Sequence, residues 1–542
     1  MRSIALACPK GECRVVKLES LLTEAEPNDD AVVYGLQRWE ILGAGGESMD
    51  ATTLGDLRSL AEALLIEMEQ WLEPSLPMAV QDAAQTVLDL FGNPPDLDHR
   101  AVPWGREVLH LIYFDYAVGD VQLLAGVVQP LLLPQGIAEP SAVVSGSIKR
   151  MQTITAAGQA LLEGQVLVGA SSWSDWWAAD VANPPLRAIS EPKNEEVIHG
   201  PHTGFIEDTT VNLWLLRQFV RTPLLRVEQM TVGGLTQTPV TLVWVAGISQ
   251  QAVIERLKAK ISQLDLDGII DSSELAELLG GSRLLPTFQY SERPDQVASA
   301  LLEGRVAVFA GSSPTALMEP AGLVHLMASV GDYYQMASLA TMTRILRYLA
   351  LVLAIVLPPL YVALLTVNAE LIPMNLALTI GHSRIAIPFP VLVETLLMMA
   401  AIDLVQEAGM MMPGAMGQTV TIVGALVVGD AAVKAGIVSA PTVVVVAVAM
   451  LAQLMLPDSN LEGMVRLVRY PLVLLGSVFG IVGVTTGIVI LIAEAAQTMS
   501  LSLPYLEPFA PRGQGLFRDT VLRLPVTYQN RRPSTSHQAT KR

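Results

Sequence analysis

The chain has 542 residues, of which 51% are hydrophobic and 16% are charged, and its formal net charge at pH 7 is −18. The charge is unevenly distributed: residues 1–343 carry −21, residues 344–511 carry −3 and residues 512–542 carry +6. So acidic a first part excludes a nucleic-acid-binding protein, because basic surfaces supply most of the affinity for nucleic acid.

Residues 1–75 are predicted to form a variable N-terminal extension. The apolar run at 4–7 is too short for a secretory signal peptide, so we expect the soluble part of the chain in the cytosol. Cys8 and Cys13 have no partner cysteines, which argues against a structural zinc site. The sequence has no phosphate-binding loop, Gly-x-Ser-x-Gly elbow or paired metal-ligand motif, so we expect no cofactor, metal or enzymatic activity.

The next part of the chain is predicted to form two related α/β subdomains, residues 76–185 and 186–340. The sequence Ala-Leu-Leu-Glu-Gly-Gln-Val at 160–166 recurs as Ala-Leu-Leu-Glu-Gly-Arg-Val at 300–306. Each copy ends a helical pattern at a glycine and continues into an apolar run typical of a buried strand. The repeat favours an internal duplication over the alternative, a common helix–glycine–strand junction that occurs twice.

Residues 341–497 are predicted to form an α-helical polytopic membrane domain, followed by a basic cytosolic tail at 498–542. The stretch 388–406 contains Glu394 and Asp403, which favours a re-entrant or interfacial helix over a fifth crossing. Four other runs lack charged residues and are long enough to cross about 30 Å of hydrocarbon. These runs are residues 348–367, 410–429, 435–457 and 470–493.

The distribution of basic residues predicts that both ends of the membrane domain face the cytosol. Arg344 and Arg347 precede the first run, and the tail adds further basic residues. Arg466 and Arg469 are expected in a loop before the last run. The predicted fold class is therefore multidomain, with an α/β cytosolic region of two related subdomains followed by an α-helical polytopic membrane domain.

Three stretches of the chain together resemble the A-subunit family of spore germination receptors, the GerA type. The similarity extends from about residue 91 to about residue 533. Several separated motifs in one order make this a specific resemblance. The motifs include Glu191-Pro192, Gly200-Pro201 and Arg217; Glu292-Arg293-Pro294-Asp295 and Ser313-Pro314; and Pro358-Pro359, Tyr361, Glu370, Pro388, Pro390, Glu394, Glu407 and Gly417.

The resemblance implies a multi-pass protein of the spore inner membrane or cell membrane with a cytosolic N-terminal region. It implies a homo-oligomer that works with a transporter-like B subunit and a lipoprotein C subunit, and that gates monovalent cations or transduces the nutrient signal. A stage V sporulation AF-type branch shares the motifs. At Asp430 the family usually has Gln, which leaves a charge-dependent role there open. The alternative function is a non-conducting membrane scaffold for germination partners.

Seven residues of the membrane part are candidates for a gate or pore. Two consecutive prolines in the first run should kink its helix, as a static bend or as a hinge. Asp403 and Glu407 share a helix face, which favours an ordinary polar face over a cation-attracting vestibule. Asp430 and Lys434 are one helical turn apart, and they are predicted to form either a simple ion pair at the helix end or a polar lining at a pore mouth. The seven candidates are Pro358, Pro359, Tyr361, Asp403, Glu407, Asp430 and Lys434.

Four glycines of the last run are candidates for helix packing. Gly476, Gly480, Gly483 and Gly487 fall on one face of a continuous helix, and small residues let helix backbones approach closely in lipid. The face is expected to form a seam either between subunits or within one subunit.

Overall fold

The computed structural model of the chain describes residues 80–525 and residue 527. The predicted extension at 1–75 therefore lies outside the described residues. Within the range, the segments that are not described are 105–106, 119, 133–146, 171–172, 174, 182–191, 193–194, 196–198, 281, 283, 413–414 and 512–518.

The first α/β unit is a five-stranded antiparallel sheet with helices packed on it. The strand order is β1-β2-β4-β5-β3. Phe91, Leu111 and Leu161 belong to one buried cluster that joins α1, β2 and α3. The elements are α1 (Val80–Phe91), β1 (Leu97–Trp104), β2 (Glu107–Phe114), α2 (120–132, with a π-helical turn at Leu124–Val128), β3 (Ile148–Met151), α3 (Ile154–Leu162), β4 (Val166–Ala170) and β5 (Trp176–Ala179).

The second α/β unit has a sheet of the same design, with strand order β6-β7-β9-β10-β8. Helices cover both faces: Leu216 and Leu301 pack on the side of Phe309, and Leu257 and Leu275 pack on the opposite side. The elements are α4 (Thr209–Phe219), β6 (Leu225–Val232), β7 (Thr238–Val245), α5 (Gln251–Ser262), α6 (Ser272–Leu279), β8 (Gln289–Ser291), α7 (Pro294–Leu302), β9 (Val306–Ala310) and β10 (Ala316–Glu319).

The two similar sequence segments occupy equivalent places in these sheets. In each, a helix ends just before a glycine with positive φ, Gly164 at 85° and Gly304 at 92°. A fully buried strand follows, β4 in the first unit and β9 in the second. This correspondence is what an internal duplication would produce; the duplication and the boundaries 76–185 and 186–340 stay predictions.

A buried ion pair joins the two α/β units. The Nε and Nη2 atoms of Arg217 in α4 donate to the two carboxylate oxygens of Asp96 at 2.8 and 2.9 Å. The Arg217 guanidinium also lies 4.4 Å from the centre of the Phe114 ring. A planar fork with two parallel hydrogen bonds fixes both distance and angle, so it orients the units relative to each other.

The remainder of the chain is a helical bundle joined to the second sheet by two short helices. In the bundle, α10 and α14 run antiparallel: Tyr361 contacts Thr442 near the start of α14, and Ala350 clusters with Ala452 near its end. The helices are α8 (Leu323–Met327), α9 (Gly331–Tyr334), α10 (Ala337–Thr366), α11 (Met374–Arg384), α12 (Val391–Met410), α13 (Ala415–Lys434), α14 (Ala440–Gln453) and α15 (Ser459–Gln497).

Only part of the expected set of spans has the length and composition of a membrane helix. Among the described residues, α10 and α15 meet both criteria, whereas α14 is apolar but shorter. The run at 435–457 is shortened because Gly436 has a positive φ of 64° and the helix begins only after Ser439. The stretch 388–406 falls in α12, a 20-residue helix. Four spans plus a re-entrant or fifth helix therefore stay a prediction.

The last predicted run is not one straight helix, because α15 is broken at Gly480. This residue has φ 64° and ψ −146°, a conformation essentially restricted to glycine. The chain reverses there: a Cβ on Gly487 would overlap the Leu472 side chain, although these residues would be about 22 Å apart in a straight helix. The halves, 459–479 and 481–497, therefore lie side by side.

After α15 the chain returns to the α/β region. Ser500, in a two-stranded ribbon of β11 (Met499–Ser500) and β12 (Leu503–Pro504), donates from Oγ to the Thr287 carbonyl at 2.8 Å. Its Oγ also accepts from the Ala321 amide at 3.0 Å. The start of α10 and the end of α15 therefore lie at the same end of the bundle.

Candidate functional site

A fully buried carboxylate lies where α10, α11, α12 and α14 meet. Oε1 of Glu394, in the first turn of α12, accepts from the Ser439 amide, the Ser439 hydroxyl and the Thr442 hydroxyl, each at 2.5 Å. Oε2 lies 3.4 Å from Nε of Arg384. The carboxylate also faces the N-terminus of α14, where the helix dipole favours negative charge. These contacts compensate a charge that would otherwise be costly to bury.

Tyr361 connects the first long helix to this centre. Its hydroxyl lies 3.0 Å from Oγ1 of Thr442. Pro358 and Pro359, one turn earlier, are buried inside α10. The prolines remove two backbone hydrogen-bond donors from α10. The Pro359 carbonyl also lies close to Gly476 of α15, since a Cβ added to Gly476 would be only 2.8 Å from that oxygen. Tyr361 thus contacts α14, and Pro359 lies against α15, within the same chain.

A second polar centre lies about 13 Å further along α12, at 1.5 Å per helical residue. Asp403 accepts from Nη2 of Arg469 at 3.2 Å and from the Tyr470 hydroxyl at 2.5 Å. Arg469 is 1% exposed, and its Nε and Nη1 have no hydrogen-bond partner among the described residues. Arg469 was expected in a loop; instead it lies inside α15, where its charge is opposed by Asp403.

The same centre extends to the end of α14. Both Gln406 and Gln453 donate to Oε1 of Glu462, the latter at 3.1 Å. Arg466, also expected in a loop, lies in α15 and is 3.4 Å from Glu407 and 3.9 Å from Glu462. Asp403 and Glu407 are therefore paired with arginines and do not form a free row of carboxylates in this conformation.

Asp430 and Lys434 form an exposed pair at the end of α13. Nζ of Lys434 donates to Oδ2 of Asp430 at 2.6 Å, and the side chains are 74% and 58% exposed. The contact is the i,i+4 pair read from the sequence. Exposed pairs of this kind contribute only about 0.3–0.5 kcal/mol. The pair is not linked to either buried centre by a contact between described residues.

The four glycines line the seam between the two halves of α15 and its contact with α10. A Cβ on Gly483 would overlap the Leu475 carbonyl, and one on Gly476 would lie 3.0 Å from Val484. At the reversal, Oδ1 of Asn368 accepts from the Ile481 amide at 2.9 Å, so Asn368 caps the second half. In the described chain this glycine face is therefore occupied by residues of the same subunit.

An ion network links the α/β region, the first long helix and the C-terminal segment. Arg347 donates to both oxygens of Asp332 at 2.7 Å, and Arg344 joins Asp332 at 2.9 Å to Asp519 at 2.7 Å. Burial alone would raise the pKa of Asp332, but the hydrogen bonds and charges of Arg347 and Arg344 hold it below its ordinary value. The C-terminal segment thus contributes the Asp519 carboxylate to the ion network near the start of α10.

Sequence reasoning missed the partners of Glu394, the cap at Asn368 and the network around Asp332. The partners of Glu394, Ser439 and Thr442, lie 45 and 48 residues away in the sequence. The signal that could have found the centre is the charge itself, since a buried acid in an apolar helix requires partners. Among the described residues, no group of three His, Cys, Asp or Glu side chains is arranged to hold a metal ion.

Comparison with known proteins places this architecture in a family. Residues 85–535 match the model of the Bacillus/Clostridium GerA spore germination protein family. Spore germination protein KA of Bacillus subtilis is 31% identical over 86% of this chain and 87% of its own length. The uncharacterized membrane protein YfkQ of Bacillus subtilis is 36% identical over 69% of this chain and 74% of its own length.

One solved structure is also similar to part of this chain. It is the N-terminal domain of the A subunit of the Bacillus megaterium spore germinant receptor GerK3, with 22% identity and a TM-score of 0.36, covering 46% of this chain and 97% of that one. The family-model match at residues 85–535 includes nearly all of both α/β units and the helical bundle with both of its polar centres. The chain therefore belongs to the GerA family of spore germination proteins.

Proposed function

We propose that the chain is the membrane subunit of a spore germination receptor and that it carries, or transmits the signal for, nutrient-gated release of monovalent cations. The α/β region lies in the cytosol and the bundle crosses the spore inner membrane or cell membrane several times. The common end of α10 and α15 supports this topology, because an even number of crossings returns the chain to its starting side.

Membership in the family supports a set of partners for the proposed subunit. The subunit forms a homo-oligomer in membrane lipid and works with a transporter-like B subunit and a lipoprotein C subunit. A protein with −18 net charge and an acidic cytosolic part has no nucleic-acid partner. No cofactor is required.

The observation that carries the proposal is the centre of Asp403, Arg469 and Tyr470, in which Arg469 is buried. Buried charges in membrane helices mark ion pathways and moving elements more often than they mark simple stability, since packed apolar residues would serve stability as well. In the closed state Arg469 neutralises Asp403. Separation of α12 from α15 on nutrient binding breaks this pair and leaves a carboxylate that attracts cations into the path.

The experiment compares spores that carry Asp403→Asn with spores that carry wild-type protein. Asn keeps the shape and the Tyr470 contact but removes the charge, so nutrient-triggered potassium release should slow or change in ion selectivity. Glu370→Gln is the matched control, because Glu370 is an exposed carboxylate near the far end of α10. Immunoblots must first establish equal protein levels, since one buried partner can cost about 3–5 kcal/mol.

The second candidate is a non-conducting membrane scaffold for germination partners. It is favoured by the pairing of each candidate carboxylate: Asp403 with Arg469, Glu407 with Arg466, and Asp430 with Lys434. A scaffold predicts that Asp403→Asn and Asp430→Asn, at normal protein levels, leave the rate and selectivity of ion release unchanged. That result would show that neither Asp403 nor Asp430 lines the cation path.

A further inference from the structure

One face of α10 carries an apolar stripe that has no partner in the described chain. Leu339, Met342 and Leu349 on this face are 53%, 61% and 52% exposed. The spacing alternates between three and four residues, the a/d repeat of a coiled-coil seam. The stripe consists of Leu339, Met342, Leu346 and Leu349.

The opposite face of α10 is buried inside the subunit. Ala340 and Ala354 are 0% exposed and Arg344 is 1% exposed. Ala340 and Arg344 are two positions away from members of the stripe, which is about 200° around a helix. The stripe therefore points away from the bundle, and the bundle does not need it for its own core.

Lipid can cover only the far part of the stripe. The 30-residue helix α10 is about 45 Å long, whereas the hydrocarbon core is about 30 Å thick. Its far end abuts the reversal of α15 at Gly480, so the surplus length projects at the end where Arg344 and Arg347 meet Asp332. Leu339 and Met342 belong to this projecting part. Exposed to water, they form the kind of apolar patch that marks a protein interface.

The chemistry of the stripe fits a second copy of this chain. A membrane fixes the orientation of every copy, so two α10 helices meet in parallel, and an a/d repeat is self-complementary in that arrangement. No charged residue interrupts the stripe, because Arg344 and Arg347 point inward and are paired with Asp332 and Asp519. The polar, basic sequence after residue 525 is unsuited to cover it.

We propose that α10 packs in parallel against α10 of a second copy of this chain through the stripe from Leu339 to Leu349. The inference rests on the proposed membrane placement and names the contact through which the proposed oligomer forms. The seam extends from the hydrocarbon into the cytosol. It therefore couples the α/β regions of neighbouring subunits to their first membrane helices through the ion network around Asp332.

Site-directed cross-linking of the full-length protein in lipid nanodiscs tests the seam. In a Cys8→Ser/Cys13→Ser background, Met342→Cys should give cross-linked dimers with a mild oxidant or a short bifunctional thiol reagent. Leu467→Cys is the matched control, an apolar residue that is 62% exposed on α15 near the same end of the bundle. We expect several-fold more dimer from Met342→Cys than from Leu467→Cys.

A second pair of variants tests the seam through the oligomer itself. Leu339→Asp should lower the native mass or weaken association, whereas Leu339→Met should leave both unchanged. If the protein is oligomeric but Met342→Cys gives no cross-linked dimer, the proposed seam is wrong and the proposed oligomer is retained. A chain that is monomeric in nanodiscs overturns both. Because the cysteine variants are conservative, their result stands even where the aspartate variant fails to fold.

Discussion

At the residue scale, the most perturbed carboxyl group of the α/β region is Glu319 at the end of β10. Its side chain is 2% exposed, and Oε2 has no hydrogen-bond partner among the described residues. Burial raises its pKa to about 8, and the charges of Lys260 and Arg305 offset only part of that effect. The folded protein therefore keeps Glu319 protonated at neutral pH.

This raised pKa predicts a pH dependence of stability. Between the ordinary carboxyl pKa of 4.5 and the folded pKa of about 8, the folded state binds more protons than the unfolded state. The free energy of unfolding contributed by Glu319 is thus fully present below pH 4.5 and is lost as the pH rises towards 8. Urea unfolding of the detergent-solubilised chain, followed by tryptophan fluorescence at pH 6 and pH 8, measures the slope of the free energy of unfolding against pH.

Glu319→Gln should flatten that slope, because glutamine cannot titrate. Glu277→Gln is the control, since Glu277 is an exposed acid on α6 and its replacement should leave the slope as in the wild type. Identical slopes in the wild type and Glu319→Gln would contradict the assignment.

At the element scale, the break in α15 determines how the bundle closes. Gly480 supplies the backbone conformation, Asn368 caps the second half, and Gly476, Gly483 and Gly487 allow the halves to approach. The first half is about 31 Å long and the second about 25 Å, at 1.5 Å per residue. A single predicted crossing is thereby replaced by a hairpin, which keeps both ends of the helical domain on one side.

Gly480→Ala should destabilise the bundle strongly. A Cβ in a left-handed conformation costs about 1–2 kcal/mol, and here it would also overlap Oδ1 of Asn368. We expect a loss of several degrees in the thermal unfolding midpoint in detergent. Gly463→Ala in the same helix is the control: it has open space around it and should be neutral or stabilising by up to about 1 kcal/mol. Equal midpoints for the two variants would rule out the hairpin.

Local sequence patterns were sufficient to predict some features of the fold and the candidate site, but they were insufficient for features that depend on contacts between distant residues. The repeated segments at 160–166 and 300–306 pointed to equivalent helix–strand junctions, and the pair Asp430–Lys434 was visible because its members are one turn apart. The partners of Glu394 and of Asp403 lie on other helices, so no local pattern reports them. The glycine spacing fits a straight small-residue face equally well, and the positive φ of Gly480 is invisible in sequence.

At the scale of the whole molecule, two sheets of the same strand order stand at one end of a helical bundle, and the C-terminal segment returns to that end. The ion network around Asp332 joins all three parts through buried, charge-assisted hydrogen bonds. A signal that moves the bundle therefore reaches the α/β region through α9 and α10. This connectivity supports the proposed function, in which the α/β region and the helical bundle respond together.

The native mass of the full-length protein in lipid nanodiscs distinguishes a conducting assembly from a scaffold. A path between subunits requires a closed assembly of several identical chains, because each bundle is filled by its own side chains around Glu394 and Asp403. We expect a discrete mass of several subunits, present in wild-type protein and retained in Asp403→Asn. A stable monomer under these conditions would contradict the conducting assembly and favour the scaffold.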